Sequence, residues 1–434
     1  MTTVRVSPTS QPLVGELEFP GDKSIAHRAV LLGALAEGTQ VIEGLPRGAD
    51  VRASLAAVAA LGADVEERGG ATCVRGAGAA FGSSGPAVVD CANSGTTMRL
   101  LAGMLAGGTR AIVLDGDPSL RRRPMERVAA PLRALGAVVE TTAGCPPVRI
   151  TPGRLRGIEW TLPVASAQVK SAILLAALRA SGETVVREPH ATRDHTERML
   201  GAMGVEVDRR GAAVAVRGGQ GLRATHLSLP GDPSSAAFFA VAAALVPGSR
   251  LVLRDLCLNP TRDGFVRILR RMGADIERRG EREACGEPRA DLQVSAGPLV
   301  GTAIGADEVP AAVDELPILA VAAACAAGET SITGAEELRV KESDRLEALG
   351  QLSALGVDVT VRPDGLLIRG AAPGALRSAR VSAHGDHRIA MAFAVLALRV
   401  PGGIEIEDAG AVDVSFPGFF DRLAGLGARV EQQG

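Results

Sequence analysis

Charged and hydroxylated residues stand at the start of six apolar segments of the sequence. They include Lys23, Ser24 and Arg28 in GDKSIAHR, Asn93, Thr96 and Arg99 in NSGTTMR, Ser166 and Gln168 in ASAQVKSA, Asp232 in GDPSSAAF, Asp314 in VDELPIL and Arg388 in GDHRIAMAF. The first N–H groups of a helix lack intrahelical partners and lie at the positive end of its dipole, so helix starts that face one cavity attract anions. Cations at the same places oppose the dipole by up to about 1 kcal/mol each. Four cations nevertheless stand at these unfavourable positions, namely Lys23, Arg28, Arg99 and Arg388. This favours a functional site for an anionic ligand.

A second group combines acids with basic residues in the segment 340–345, VKESDR. Asp344 and Glu347 are typical of a helix cap. The residues that such caps do not require are Lys341, Glu342, Arg345 and the pair Asp314–Glu315. Neighbouring acids and lysines can tune one another's pKa toward the working pH. This group therefore predicts proton transfer.

Simpler explanations remain open for individual residues. Those that would serve as ordinary helix N-caps are Ser24, Asn93, Ser94, Ser166 and Asp232. Gly95 alone is compatible with a turn, and Arg121 and Arg122 favour a solvated loop before a helix that begins at Pro124. His384 and His387 could form a metal pair, but no third ligand cluster accompanies them, so no metal is predicted.

The elements that must position these residues recur six times. One element is a polar helix start followed by an apolar helix and a short strand, as in residues 21–44. The other is a helix that ends in a Leu-Gly or Met-Gly step before a valine-rich strand. Its glycines are Gly62, Gly136, Gly204, Gly273, Gly356 and Gly427, roughly seventy residues apart. Each is expected at a helix C′ position with positive φ, and the chain is predicted to contain six βαβαββ units.

The length and composition predict two domains. A chain of 434 residues that is 46% hydrophobic can form two cores of about 200 residues each. We expect one domain at 21–227 and a discontinuous one at 1–20 plus 228–434, joined by two chain crossings that would act as a hinge. The stretch 280–305, rich in charge, Gly and Pro, is expected to be a long loop.

The bulk composition limits the ligand class and the compartment. A net charge of −2, the absence of tyrosine and an aromatic content of 2% argue against nucleic acid and membrane surfaces as partners. Six cysteines without a C-x-x-C pair are typical of a reduced cytoplasmic protein. We find no secretion signal or membrane span in the pattern, and we expect a monomer because no long exposed apolar pattern is left over.

At this point the motifs become recognisable as a set. GDKSIAHR, NSGTTMR, RRRPM, ASAQVKSA, TRDHTERML, GDPSSAAF, VDELPILAVAAA, ELRVKESDRL and GDHRIAMAF closely resemble, in order, those of the 3-phosphoshikimate 1-carboxyvinyltransferases, the EPSP synthases. SAQVK with RDHTE resembles the divergent bacterial subgroup. The resemblance covers essentially the whole chain. It implies an α/β, two-domain enolpyruvyl transferase fold, an inside-out α/β barrel with three βαβαββ units per domain and the active site in the cleft between domains.

The resemblance also implies the reaction and its residues. The enolpyruvyl group of phosphoenolpyruvate would pass to the 5-hydroxyl of shikimate 3-phosphate by addition and elimination of phosphate, in the shikimate pathway to aromatic amino acids, without cofactor or metal. Shikimate 3-phosphate would contact Lys23, Ser24, Arg28, Ser166, Ala167, Gln168, Arg193, Asp314 and Lys341. Phosphoenolpyruvate would contact Lys23, Asn93, Gly95, Thr96, Arg99, Arg123, Gln168, Arg345 and Arg388. Asp314 is assigned as base for the 5-hydroxyl, and Glu342, alone or with Lys23, as proton donor to the methylene carbon; Lys341 lies in the same motif.

Three positions depart from the family pattern. Val414 stands where many members have a lysine, Ala167 where many have a second serine, and the tyrosine that some members place over the shikimate ring is absent, with Arg193 as its expected substitute. Gly95 is kept, and any side chain there would crowd a ligand longer than phosphoenolpyruvate. We therefore expect glyphosate to compete with phosphoenolpyruvate.

Three other functions remain alternatives. UDP-N-acetylglucosamine enolpyruvyl transferases share the repeats, but they typically have Lys-Asn in place of Lys23-Ser24 and a reactive cysteine in the loop equivalent to 119–123. Cys145 lies near that loop and is interpreted as structural. A non-catalytic anion-binding relative would be favoured by loss of the candidate catalytic residues, all of which are present. RNA 3′-phosphate cyclases would need a nucleophilic histidine and a more basic surface.

Overall fold

Short strands alternate with helices throughout the computed structural model, which describes residues 2–372 and 374–433. The strands are β1 Thr3–Val6, β2 Val14–Leu17, β3 Thr39–Glu43, β4 Asp64–Arg68, β5 Ala71–Arg75, β6 Val88–Asp90, β7 Ile112–Asp115, β8 Val138–Thr142, β9 Cys145–Thr151, β10 Glu159–Thr161, β11 Glu183–Arg187, β12 Val207–Arg210, β13 Ala213–Arg217, β14 His226–Ser228, β15 Arg250–Cys257, β16 Asp275–Ala284, β17 Glu287–Ser295, β18 Ala303–Ile304, β19 Glu329–Ile332, β20 Asp358–Arg362, β21 Gly365–Arg369, β22 Ala379–Ser382, β23 Ile404–Glu407 and β24 Val430–Gln433. The helices are α1 Lys23–Leu35, α2 Ala49–Ala60, α3 Gly95–Leu105, α4 Glu126–Leu135, α5 Ala167–Ala177, α6 His195–Ala202, α7 Pro233–Leu245, α8 Gly264–Arg271, α9 Val309–Ala312, α10 Leu316–Ala324, α11 Arg345–Leu349, α12 His387–Ala397, α13 Val412–Ser415 and α14 Phe419–Gly425.

All six apolar segments form helices, namely α1, α3, α5, α7, α10 and α12, as the sequence predicts. Side-chain caps bind a backbone N–H at five of their starts: Asp22, Ser94, Ser166, Asp232 and Asp386. The caps expected at Ser24 and Asn93 are wrong, because the residue just before each helix, Asp22 or Ser94, already accepts the orphan N–H group. Asp344 caps α11 as predicted, accepting from the Glu347 N–H at 3.1 Å.

Two other local predictions need correction. Helix α4 begins at Glu126 and not at Pro124, and the N–H groups of Met125 and Glu126 both bind the Gly144 carbonyl. The expected loop at 280–305 is largely a β-hairpin formed by β16 and β17. Charged residues on the exposed positions of β16 obscured its strand pattern, whereas β17 buries Leu292 and Val294.

The strands form six four-stranded sheets that share one topology. Their orders are β14-β3-β5-β4, β6-β7-β9-β8, β10-β11-β13-β12, β2-β15-β17-β16, β18-β19-β21-β20 and β22-β23-β1-β24. In every sheet the first two strands are parallel and the next pair is antiparallel. The six glycines that follow the second element have φ between 89° and 116°. The six βαβαββ units and the positive φ of these glycines are therefore confirmed. Four of the glycines lie at C′ as predicted, whereas Gly136 and Gly356 are the C-cap residues themselves.

The chain separates into two compact modules. Module N comprises residues 20–229 and 283–287; module C comprises the residues up to 19, residues 230–282 and those from 288 onward. In module C, α7, α10 and α12 pack together, and every residue of α10 is buried. In module N, α3 packs on α5, and Gly103 permits the close approach, because an added Cβ would lie 2.1 Å from the Ala172 carbonyl oxygen. Buried helices surrounded by sheets explain why the helices are apolar on all sides.

No helix among residues 2–372 and 374–433 combines the length and the apolar character needed to cross a membrane.

A chain of buried polar groups ties the first three helices of module N together. The Nδ1 atom of His27 lies 2.8 Å from the Ser54 hydroxyl, which lies 2.6 Å from that of Thr97. Thr97 in turn donates to the cap Ser94 at 2.7 Å. Burial lowers the pKa of His27 to about 4, against a smaller opposing effect of Asp50. His27 is therefore neutral at physiological pH.

Acid should weaken this module through His27. An unfolded histidine takes up a proton near pH 6.5, whereas His27 in the folded chain stays neutral down to about pH 4. Between these values the unfolded state binds more protons, so stability falls as pH falls, by up to ~3 kcal/mol from this group. His27→Asn keeps a polar atom for Ser54 but does not titrate. Urea unfolding from pH 7 to pH 4 should show a smaller acid-induced loss in this variant; parallel losses in both proteins would contradict the assignment.

Candidate active site

The starts of α3 and α5 bring together five residues predicted to bind phosphoenolpyruvate. Arg99 NH1 donates to the Gln168 Oε1 atom at 2.5 Å, and Gln168 Nε2 donates to the Thr96 hydroxyl at 2.8 Å. Arg123 NH2 donates to Asn93 Oδ1 at 3.0 Å. The arginines thus donate to the neutral side-chain amides of Gln168 and Asn93, and Gln168 in turn binds the Thr96 hydroxyl.

Gly95, the first residue of α3, makes space for both arginines. A Cβ at this position would lie 3.0 Å from Arg99 NH1 and 3.3 Å from Arg123 NH1. Two planar guanidinium forks therefore lie at the positive end of a helix, where each can bind a carboxylate or phosphate in bidentate fashion. This is the chemistry that the sequence predicts for a small anion.

A second group of predicted residues lies at the start of α1. Arg193 NH1 donates to the Ser24 hydroxyl at 3.2 Å. Arg28 is buried and donates to the Ser24 carbonyl, the Ser171 hydroxyl and the Thr196 hydroxyl at 2.7–2.8 Å. Burial lowers the pKa of Arg28 to about 10, although nearby Glu197 raises it, so Arg28 remains a cation at neutral pH.

Lys23 is held by a residue that the sequence analysis missed. Its Nζ atom lies 2.9 Å from Asp50 Oδ2 in the first turn of α2. In the sequence, the one sign of this role is that Asp50 is an acidic residue in the first turn of a helix. Two other predicted residues, Ser166 and Ala167, stabilise the start of α5. The Ser166 side chain caps this helix, and the Ala167 carbonyl accepts a hydrogen bond from the Ser171 hydroxyl at 2.6 Å.

In module C, Asp386 organises the predicted arginines, and it too was missed as a functional residue. This fully buried carboxylate accepts from Arg345 Nε at 2.7 Å, from the Ser343 hydroxyl at 3.2 Å and from the Arg388 backbone N–H at 2.9 Å. It caps α12 and fixes the first residue of α11 at the same time. Its place in GDHR signalled a cap, but nothing in the sequence shows that Arg345 would reach it.

Asp314 lies close to both arginines. Its Oδ1 atom is 3.5 Å from Arg345 NH1 and 3.7 Å from Arg388 Nε, and Arg388 NH1 donates to its backbone carbonyl at 3.0 Å. Arg345 NH2 also donates to Glu342 at 2.6 Å. The two separations between the Asp314 carboxylate and these arginines exceed those of a good charge-assisted hydrogen bond.

The charges of this group shift one another's pKa. Burial opposes the charge on Arg345, yet Asp386, Glu342 and Asp314 raise its pKa. Burial likewise opposes the charge on Asp386, but Arg345 keeps the pKa of that carboxyl below its ordinary value. For Lys341 the effect of burial exceeds the opposing effect of Glu337 and lowers the pKa of the ammonium group.

No group of three His, Cys, Asp or Glu residues within 2–372 and 374–433 could hold a metal ion.

The predicted site residues belong to two groups of basic and polar side chains, one in each module. In module N they are Lys23, Ser24, Arg28, Asn93, Gly95, Thr96, Arg99, Arg123, Ser166, Ala167, Gln168 and Arg193; in module C they are Asp314, Lys341, Glu342, Arg345 and Arg388.

Residues 8–423 match the family model described as EPSP synthase (3-phosphoshikimate 1-carboxyvinyltransferase). The chain belongs to the EPSP synthase family. The resemblance inferred from the motifs is therefore confirmed over almost the whole sequence.

Individual EPSP synthases agree with this assignment. The 3-phosphoshikimate 1-carboxyvinyltransferase of Halorhodospira halophila is 54% identical over 99% of this chain and 97% of its own length. That of Methylococcus capsulatus is 51% identical over 96% of each chain. The solved structure of the Acinetobacter baumannii EPSP synthase superimposes with a TM-score of 0.89 at 43% identity, covering 100% of both chains. The predicted enolpyruvyl transferase fold is thus confirmed.

One departure from many EPSP synthases has a clear location here. Val414, at the position where a lysine is common, lies in α13 with 38% of its surface exposed. An apolar side chain at this place cannot supply the charge of that lysine.

Proposed function

We propose that this protein transfers the enolpyruvyl group of phosphoenolpyruvate to the 5-hydroxyl of shikimate 3-phosphate and releases phosphate. The observation that carries the proposal is the match of residues 8–423 to the EPSP synthase family. The side chains required by the chemistry support it, because cationic forks stand at helix starts in both modules. The same assignment places the protein in the shikimate pathway to aromatic amino acids.

The substrate contacts follow from the two clusters. Arg99 and Arg123, with Gly95 between them, would bind the carboxylate and phosphate of phosphoenolpyruvate. Ser24 and Arg193 would bind shikimate 3-phosphate, with Arg28 as a buried positive charge behind them. Six free cysteines suit a reducing cytoplasm, where we propose that the enzyme acts as a monomer.

The proton transfers would be divided between carboxylates and lysine. Asp314 takes the proton of the 5-hydroxyl while the hydroxyl oxygen bonds to C2 of phosphoenolpyruvate, and Glu342 is the proposed donor of a proton to C3. In the elimination Glu342 takes a proton back from C3, the double bond between C2 and C3 re-forms, and the bond between C2 and the phosphate oxygen breaks. The leaving phosphate takes up the proton that Asp314 removed from the hydroxyl. To act as a donor, Glu342 must be protonated, which requires its 2.6 Å contact with Arg345 to be released. The lowered pKa of Lys341 suits this residue to assist in the proton transfer.

The reaction itself can be tested by phosphate release from the purified protein. We expect release with phosphoenolpyruvate plus shikimate 3-phosphate, and none when UDP-N-acetylglucosamine replaces shikimate 3-phosphate. Release only with the nucleotide sugar would assign the protein to the sister transferases. Absence of release with either acceptor would reject enolpyruvyl transfer as the function.

Removing the proposed base should affect turnover more than binding. Asp314→Asn keeps the size of the side chain but cannot accept the hydroxyl proton, so kcat should fall about 10²–10⁴-fold with small changes in either KM. Asp344→Asn is the matched control, because asparagine also caps a helix well and Asp344 has no proposed substrate contact. Near-normal kcat in the Asp314 variant would exclude it as the base.

Gly95 should set the response to glyphosate. Gly95→Ala forces the ends of Arg99 and Arg123 to move by a few tenths of an ångström, and it leaves less room for a ligand longer than phosphoenolpyruvate. We expect glyphosate to compete with phosphoenolpyruvate in the unmodified protein. In the variant the inhibition constant should rise by at least about tenfold and the KM of phosphoenolpyruvate by less.

The control for this variant is Gly201→Ala in α6, where an added Cβ has no neighbour within 4 Å. It should leave both constants unchanged. An unmodified enzyme that glyphosate fails to inhibit, or an equal rise of both constants in the Gly95 variant, would contradict the steric argument.

A further inference from the structure

The segment that carries Arg193 has no regular secondary structure. It runs from Glu188, just after β11, to Asp194, just before α6, and its middle residues 189–191 are exposed. Arg193 nevertheless lies within hydrogen-bonding distance of Ser24 on α1. A loop of this kind has many conformations of similar energy, so other contacts must fix its ends if one arginine is to bind a ligand reproducibly.

A buried lysine on α5 makes those contacts. The Nζ atom of Lys170 donates to a carboxylate oxygen of Glu188 and lies 2.7 Å from Glu197 Oε1 and 3.4 Å from the Thr192 carbonyl oxygen. The side chains of Lys170, Glu188 and Glu197 are 2%, 6% and 1% exposed. One ammonium group therefore holds the first residue of the loop, the residue before Arg193 and the first turn of α6.

Glu188 adds a second connection within the loop. Its other oxygen accepts the Thr192 backbone N–H at 2.9 Å and the Thr192 hydroxyl at 2.5 Å. The loop thus closes on itself immediately before Arg193, and the closing carboxylate is itself held by Lys170. Thr192 is buried, whereas the residues between it and Glu188 are exposed.

The charges of this group balance. Glu197 also faces Arg28, which donates to Ser171 and Thr196, the residues next to Lys170 and Glu197 in the sequence. Two cations and two carboxylates are therefore buried together. Well-packed apolar residues usually stabilise a core as well as buried ion pairs do, so such pairs are best explained by the geometry that they impose.

We propose that Lys170 is a positioning residue that holds the 188–194 loop so that Arg193 stays beside Ser24. The inference rests on the proposed function, in which Arg193 and Ser24 bind shikimate 3-phosphate. Lys170 itself is buried and contacts no substrate. Its effect should therefore be specific for shikimate 3-phosphate and act through Arg193.

The main test is the double variant Lys170→Met/Glu197→Gln. It removes one charge of each sign, so the buried group stays neutral overall. Neither substitution removes an atom of the hydrogen bonds between Thr192 and Glu188. We expect the KM and the dissociation constant of shikimate 3-phosphate to rise about tenfold, with the KM of phosphoenolpyruvate within about twofold and kcat little changed. Thr192→Val, which removes only the hydroxyl bond to Glu188, should shift the same two constants in the same direction by a smaller factor.

Two comparisons separate positioning from general loss of stability. Ile150→Ala in β9 removes a buried side chain from another sheet of module N and should lower the melting temperature without changing either KM. In a cycle with Arg193→Ala, the Lys170→Met/Glu197→Gln change should add little to the effect on shikimate 3-phosphate, because the group that it positions is already gone. Additive effects, or equal rises of both KM values, would overturn the inference.

Hydrogen exchange of the ligand-free proteins gives a readout that does not depend on the substrate. The amides of residues 190–194 should exchange faster in the double variant than in the unmodified protein, with the amides of α3 unchanged. Unchanged exchange in the loop would overturn the positioning role even if the enzyme proved active. Conversely, failure of the unmodified protein to release phosphate would reject the proposed function while leaving faster loop exchange as support for the role of Lys170.

Discussion

The structure depends on holding cations at the positive ends of apolar helices. A helix start repels Lys and Arg side chains, and burial adds a desolvation cost. Each module meets this cost by placing oxygen acceptors around the cations. Asp50 accompanies Lys23, Glu197 lies near Arg28, and Asp386 accepts from Arg345. These partners allow charged groups to remain where a helix alone would exclude them.

The arginines described in the two modules also contact different kinds of side chain. In module N, Arg99 donates to the neutral amide of Gln168 and Arg123 to that of Asn93. In module C, carboxylates surround Arg345, and the acids and lysine needed for proton transfer lie within the same cluster.

Much of this organisation could be predicted from the sequence because it depends on local patterns. The apolar helices, the positive-φ glycines and the motif residues at helix starts all follow from spacing along the chain. The partners Asp50, Asp386 and Lys170 could not be predicted, since each acts through a contact between elements that are distant in sequence. The hairpin of β16 and β17 was missed because its exposed positions carry loop-like charged residues.

The order of the strands in the sheets determines when each sheet can be completed during synthesis of the chain. Strand β14 completes the sheet that begins with β3, so the first sheet of module N lacks a strand until residue 228 has left the ribosome. The sixth sheet places β1 between β23 and β24, which pairs Thr3 with Gln433. Strand β1 must therefore wait for β23 and β24 to be made, and long-range pairing of this kind slows folding and leaves strand edges exposed during translation. Because β1 and β24 are already neighbours in one sheet, a short linker could join these two strands and the chain could be opened elsewhere without changing the pairing.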